Sequence, residues 1–278
     1  MMKCNRKFLA FLLVVLLSVS SLPASAEVKA GKLTMSLFTE EEFSELVPKT
    51  WLWSVLDPTH DGKLAFKYYD SMTAMMLALN SGEIDEIDVS RSVGEYMTAV
   101  NPDYYISCVM RSGPVNYSFG FLSGDKGLAL RDKFDEAVRS LMVSGRFAEL
   151  QEDYIYDADF SSIAPVEFSK FDGAETIKVA ITGDLPPIDY VDAGGNAAGF
   201  NTAILAEIGR TLGLNIELVN IGHSAKTAAL TSGRVDVVFW YMYISRRDGA
   251  VQLEIPEKVI LSNPYYMTDI YVHVRKKK

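Results

Sequence analysis

Cysteine is nearly absent from this 278-residue chain, which has only Cys4 and Cys108. Cys4 precedes an apolar run instead of closing it, so it does not read as a lipid-attachment residue. Cys108 would then be alone, and one cysteine excludes an internal disulfide; the fold must rest on its core. Cys108 lies in the apolar stretch 104–110 and is expected as a small buried residue. Histidine is equally scarce: His60, His223 and His273. None has metal-ligand spacing and none neighbours a nucleophile motif, which argues against a zinc or Ser/Cys enzyme. Basic residues number 27 against 36 acidic, a net charge of −9. That balance argues against nucleic acid and anionic membranes as partners. Long apolar runs are missing too, with one exception near the start.

The exception spans residues 8–17, shorter than the roughly 20 residues a membrane span needs. It follows Lys3, Arg6 and Lys7 and precedes Ala24-Ser25-Ala26. A basic start, a short apolar middle and an Ala-x-Ala end read as a secretory signal peptide, residues 1–26, cleaved near Ala26. The expected location is secreted, periplasmic or extracellular. The remaining 252 residues carry −12, because the signal holds three basic and no acidic residues. They suffice for one large domain or two small ones with a sizeable core.

One phrase is written twice. ALNSGEIDEI occupies 78–87 and ALTSGRVDVV occupies 229–238, 151 positions apart. Two copies are too few for a solenoid and fit two similar lobes. Each copy reads as a helix end, a tight turn and the start of a buried strand. Gly82 and Gly233 permit the left-handed turn, and Asp85 and Asp236 sit where a carboxylate accepts turn amides. The phrase reports architecture, not catalysis.

Around it, strand patterns fall at 32–38, 64–69, 84–89, 104–110 and 117–122 in the first half. In the second they fall at 176–182, 215–219, 235–240, 259–262 and 270–274. Helical patterns fall at 71–80, 92–100, 128–143, 146–154, 200–212 and 225–231, with a further helix start at Thr39. Residues 157–174 lack periodicity and read as a linker. Strands alternating with helices on both sides imply an α/β protein with mainly parallel sheets flanked by helices.

The second half then resembles the extracellular solute-binding proteins of ABC importers, the polar amino-acid family. The matching residues are Thr182-Gly183-Asp184-Leu185-Pro186-Pro187-Ile188-Asp189-Tyr190, Gly199-Phe200-Asn201, Leu212-Gly213, the phrase at 229–236 and Ser262-Asn263-Pro264-Tyr265-Tyr266. In the family this stretch forms lobe one. The first half is similar, more loosely, to lobe two and the closing helices, through 78–85, Glu95-Tyr96, Asn101-Pro102, 117–121 and 144–147. The resemblance implies a two-lobed fold of the periplasmic-binding-protein type II. Residues 27–156 would be the lobe-two-like region and 175–278 the lobe-one-like region. The lobe order is reversed. Either the chain is a circular permutant, with 157–174 joining the old ends, or it is a truncated tandem.

The resemblance also places a site in the cleft between lobes. From lobe one it implies Asp184, Ile188 and Tyr190 in the loop 184–190. It implies Phe239, Trp240 and Tyr241 at the mouth, where the family has small residues. Ser245 matches a family hydroxyl. The family's carboxylate-clamping Arg would fall three residues on, where this chain has Asp248, so Arg246 or Arg247 is the candidate clamp. From lobe two, the residue that receives a ligand amine falls at Ser90, two beyond Asp88. Thr39, at a helix start, could donate to an anion. The implied function is capture of a small polar solute, an amino acid or derivative, by hinge closure for an ABC permease. The chain would be a monomer, not an enzyme, with no metal and no cofactor. The rival readings are a sensor or protein-interaction module built from a truncated or degenerate pair, and a dehydratase-like enzyme on the same fold.

Overall fold

A computed structural model describes residues 27–33, 64–160, 163–246, 249–250 and 256–278. The signal segment and the expected helix start at Thr39 lie outside them.

The repeated phrase sets the local geometry twice over. Helix α1 (Met72–Ser81) ends at Gly82, whose φ of 77° lets its N–H reach back to Leu79. The helix ending at Thr231 is followed by Gly233, φ 72°, whose N–H reaches Leu230. Glu83 N–H then donates to Ala78 and Arg234 N–H to Ala229, both at 3.0 Å. The aspartates complete the match. Asp85 accepts from Lys29 N–H at 2.9 Å and returns its own N–H to the Lys29 carbonyl. Asp236 does the same with Lys178, at 3.0 Å. Each aspartate therefore pins one strand to its neighbour twice, its carboxylate accepting from and its own N–H donating to the same backbone residue.

Those strands head two sets with one spatial order. In the first set, β1 (Val28–Leu33) pairs in parallel with β2 (Leu64–Tyr69) and with β3 (Glu86–Ser90). The long strand β4 (Tyr104–Leu122) supplies the fourth member with its first part. In the second set, β5 (Thr176–Ile181) pairs in parallel with β9 (Asn215–Asn220) and with β10 (Val237–Arg246). Its fourth member is β12 (Val259–Leu261). Between third and fourth strands each set accepts a visitor from the other half. Strand β13 (Tyr266–Lys276) runs antiparallel between β3 and β4, and the second part of β4 runs antiparallel between β10 and β12. The halves read β2-β1-β3-β13-β4 and β9-β5-β10-β4-β12. The result is a two-lobed α/β molecule joined by two long crossing strands. Parallel pairs hold the flanks; antiparallel pairs gather about the crossing. Three short strands, β6 (Asp184–Leu185), β7 (Asp189–Val191) and β8 (Ala197–Ala198), form a separate ribbon, and β11 (Gly249–Ala250) pairs with the end of β10.

Helix α2 (Arg91–Val100) packs on β13 through Gly94, where a Cβ would stand 2.2 Å from Val272 Cγ2. Helix α3 (Asp125–Ser144) buries Leu130, Phe134, Ala137, Val138 and Leu141, one face at helical spacing. Phe134 meets Phe119 and Phe121 of β4 edge-on, ring centres 5.4 Å apart. Phe119 also stacks on Tyr265 at 4.4 Å and on Phe239 at 5.4 Å. Helices α4 (Arg146–Gln151), α5 (Phe200–Leu212) and α6 (Lys226–Thr231) complete the layers. A π-helical turn extends α4 to Tyr156. Among the described residues no helix is long and apolar enough to cross a membrane.

Three expectations change. The stretches 104–110 and 117–122 are one strand, not two. Register shifts between Thr268 and Ile270 of β13, so the ladder skips 112–114 and tolerates Pro114. The first strand begins earlier than 32, at Val28, and its expected continuation over 34–38 lies outside the described residues. Cys108 is half-buried, not buried, because the first part of β4 has only β13 beside it among the described strands.

Candidate functional site

The two halves meet where β5, β9 and β2 deliver their chains to loops. Strand β5 ends at Ile181, and Thr182-Gly183 turn the chain into β6. Gly183 has φ 72°, and a Cβ there would press within 2.7 Å of the Asn220 amide oxygen. Asp184 follows and reaches across to the other half, where its carboxylate accepts the Met72 N–H of α1 at 2.7 Å. Burial pushes this carboxyl up; the Met72 and Thr73 N–H groups and the Lys226 charge oppose the rise. A matching contact runs the other way. Asp70, after β2, accepts the Ser224 N–H at 2.7 Å, in the 3₁₀ turn His223–Ala225 ahead of α6.

Behind these contacts lies a buried charged group. Asp189 is 2% exposed and accepts from the Thr182 N–H at 3.2 Å and hydroxyl at 2.5 Å. Burial raises its carboxyl to about 6, against the pull of Lys226 and Thr182. Lys226, also 2% exposed, donates to the Phe239 carbonyl at 3.3 Å. Burial lowers its ammonium, while Asp189, Asp184 and Asp70 hold it up. His223 stays well below its ordinary range through burial and the Lys226 charge. Its Nε2 stands 3.9 Å from Asp184 Oδ1, beyond hydrogen-bond reach.

Alongside runs a seam of hydroxyls and rings. Ser90 ends β3, and its Oγ lies 3.3 Å from Ser92 Oγ at the start of α2. Ser92 bonds to Tyr266, whose hydroxyl burial raises to about 12. The Tyr117 and Tyr271 hydroxyls lie 3.2 Å apart on the crossing strands. Tyr96 of α2 faces Tyr190 of β7 across the halves at 6.2 Å and Phe160 at 5.3 Å. The Tyr190 hydroxyl rises to about 12, by burial and then by Tyr96.

The structure thus brings Asp184, Tyr190 and Ser90 to the junction. It removes Ile188 and Phe239 from it: both lie in the core, Phe239 stacked on Phe119, which stacks in turn on Tyr265, with no exposed surface to offer a solute. Asp88 is held by Lys32 in a buried ion pair, and Lys32 also sits 4.8 Å from the Phe66 ring centre. Its carboxylate serves the lobe interior. Trp240, Tyr241, Ser245 and Arg246 belong to β10, which pairs Tyr241 with Ser118 and Ser245 with Ala250; their side chains, like all of Arg247 and Thr39, lie outside the described residues. Sequence reasoning missed Asp70 and Lys226. A lysine opening a short helix looks like a surface residue, and nothing local announces that an aspartate bonds a backbone 154 positions away.

Buried charged groups of both signs, flanked by tyrosines where two lobes meet, suit recognition of a polar molecule. Among the described residues no group of acidic, histidine or cysteine side chains could hold a metal ion. Similar folds include a zinc-bound ligand-binding component of an ABC-type import system from Staphylococcus aureus, 13% identical, TM-score 0.45, over 90% of this chain and 65% of that one. A putative L-cystine ABC transporter protein from Listeria monocytogenes is 12% identical, TM-score 0.39, over 90% and 82%. An aliphatic sulphonate binding protein from Escherichia coli is 13% identical, TM-score 0.41, over 90% and 64%. The chain spans less than two thirds of the first and third of these. No curated protein sequence matches. Residues 177–278, from β5 through β13, match the sequence profile of the bacterial extracellular solute-binding proteins, family 3.

Proposed function

We propose that this protein is exported and captures a small polar solute, an amino acid or derivative, between its lobes for an ABC importer. The observation that carries the reading is the matched pair of strand sets. Each has four strands of its own and one lent by the other half, which supports two equivalent lobes facing one cleft. The same observation favours a circular permutant over a truncated tandem: the family-matching lobe comes second, and 157–174 joins the old ends. Lobe two would then be 27–156 and lobe one 175–278, working as a monomer without catalysis or cofactor.

Within the junction, Tyr190 and Tyr96 offer ring faces and Ser90 and Ser92 offer hydroxyls. The segment from Trp240 through Ser245 to Arg246 and Arg247 is the candidate for the far end of the solute, with an arginine as carboxylate clamp. Thr39 remains the candidate anion donor from the lobe-two-like region. Asp88 acts through Lys32, as support.

Thermal unfolding of residues 27–278 against a panel of amino acids and other small polar solutes tests the reading. A solute that binds only the folded state stabilises it by about 2.7 kcal/mol at a hundredfold excess over its Kd. The expected result is a raised midpoint with one solute class, lost on replacing Arg246 and Arg247 together. A cooperative transition that no solute moves would overturn it.

A further inference from the structure

We propose that the lobes are latched shut without solute by their own aspartates, Asp184 binding helix α1 of the facing lobe and Asp70 binding back to the Ser224 N–H. The inference rests on reading the two halves as lobes around a cleft, and it adds a regulation of closure to that reading.

The first turn of α1 shows why Asp184 is a latch and not an incidental contact. An α-helix opens with four N–H groups that have no partner inside it. Here the Ser71 hydroxyl takes the Ala74 N–H at 3.1 Å, and the Ser71 carbonyl takes the Met75 N–H at 3.2 Å as the first bond of the helix itself. Of the N–H groups ahead of Ala74, Met72 donates to the Asp184 carboxylate at 2.7 Å, and the Thr73 N–H helps to stabilise the same carboxylate. The Met72 N–H has this partner only while the other lobe is against the helix. The helix dipole also favours a negative group at that end. Asp184 thus fills from within the place an anion would take.

The return contact depends on a missing side chain. A Cβ on Gly222 would lie 2.7 Å from Asp70 Oδ2, although its φ of −57° suits any residue. Glycine here leaves room for Asp70 to approach the Ser224 N–H. The two contacts connect residues 112 and 154 positions apart and run in opposite directions between the lobes. Neither uses a solute. Opening breaks both, and a solute anion aimed at α1 must first displace Asp184.

Amide hydrogen exchange on the full chain, dialysed free of solute, tests the latch. The wild type is expected to protect Met72, Thr73 and Ser224. Asp184→Ala should speed exchange at Met72 and Thr73 at least tenfold, and also at Ser224, which Asp184 does not touch. Asp70→Ala should do the reverse, and small-angle scattering should show a larger radius of gyration for the double variant. Protection of Ile177 to Ile181 in β5 reports that the variants stay folded. Exchange changes confined to each aspartate's own partner, with an unchanged radius, would mean two local caps and overturn the latch. Coupled exchange in a chain that binds no solute would uphold the latch while the solute reading falls.

Discussion

Asp189 is the residue whose chemistry departs furthest from its sequence surroundings. A carboxylate at a strand edge ordinarily ionises near 3.8; burial raises this one to about 6. Because the folded value is the higher, ionised Asp189 opposes folding. The penalty is present above pH 6 and is relieved as pH falls from 6 toward 4. His223 works against this, since burial disfavours its imidazolium and so costs stability below its ordinary value of 6.5. Comparison with Asp189→Asn isolates the carboxyl. Between pH 7 and 4 the wild type should gain on the variant by at most about 3 kcal/mol, read from urea midpoints. Parallel curves would show that Asp189 is solvated. At this scale the sequence was half legible. Asp184 and Tyr190 stand in a recognisable loop, but Asp70 and Lys226 acquire their roles only from strands far away in the chain.

At the scale of elements, β4 and its aromatic stack are the part most sensitive to change. Phe119 touches rings from α3, β10 and the stretch before β13 at once. Phe119→Ala should cost about 3–5 kcal/mol, seen as a lower denaturation midpoint with an unchanged slope. Gly94 tests the α2–β13 packing. Its missing Cβ faces a β-branched side chain that cannot swing away, so Gly94→Ala should cost about 1–3 kcal/mol despite alanine's better helix propensity. A stabilised variant would show that α2 stands off the strand. Helices and short strands were legible here because their periodicity is local: 64–69 and 200–212 match the structure at both ends. The continuity of β4 was not, since Gly113-Pro114 reads as a break and only the skipped rungs opposite β13 make it passable.

The whole molecule is two interleaved lobes, not two beads. Residues before the joiner supply the second part of β4 to the later lobe, and residues after it supply β13 to the earlier one. A single cut in the joiner near the exposed Gly173 should therefore leave a particle of unchanged size by gel filtration, its fragments parting only in denaturant. Residues 27–156 made alone should fail to fold cooperatively, because their sheet lacks its fourth-from-edge strand. Fragments that separate after cutting would refute the interleaving.

The sequence by itself determined the class of the fold, the presence of two like lobes and the chemistry of their turns. Those rest on residues a few positions apart: a helix end, a glycine with positive φ, an aspartate three places on. Only the tertiary structure decided which lobe lends a strand to which, that Ile188 and Phe239 are core, and that Asp184 faces a helix end. Each of these depends on groups more than a hundred positions apart or on burial from several sides, and local pattern carries no record of either.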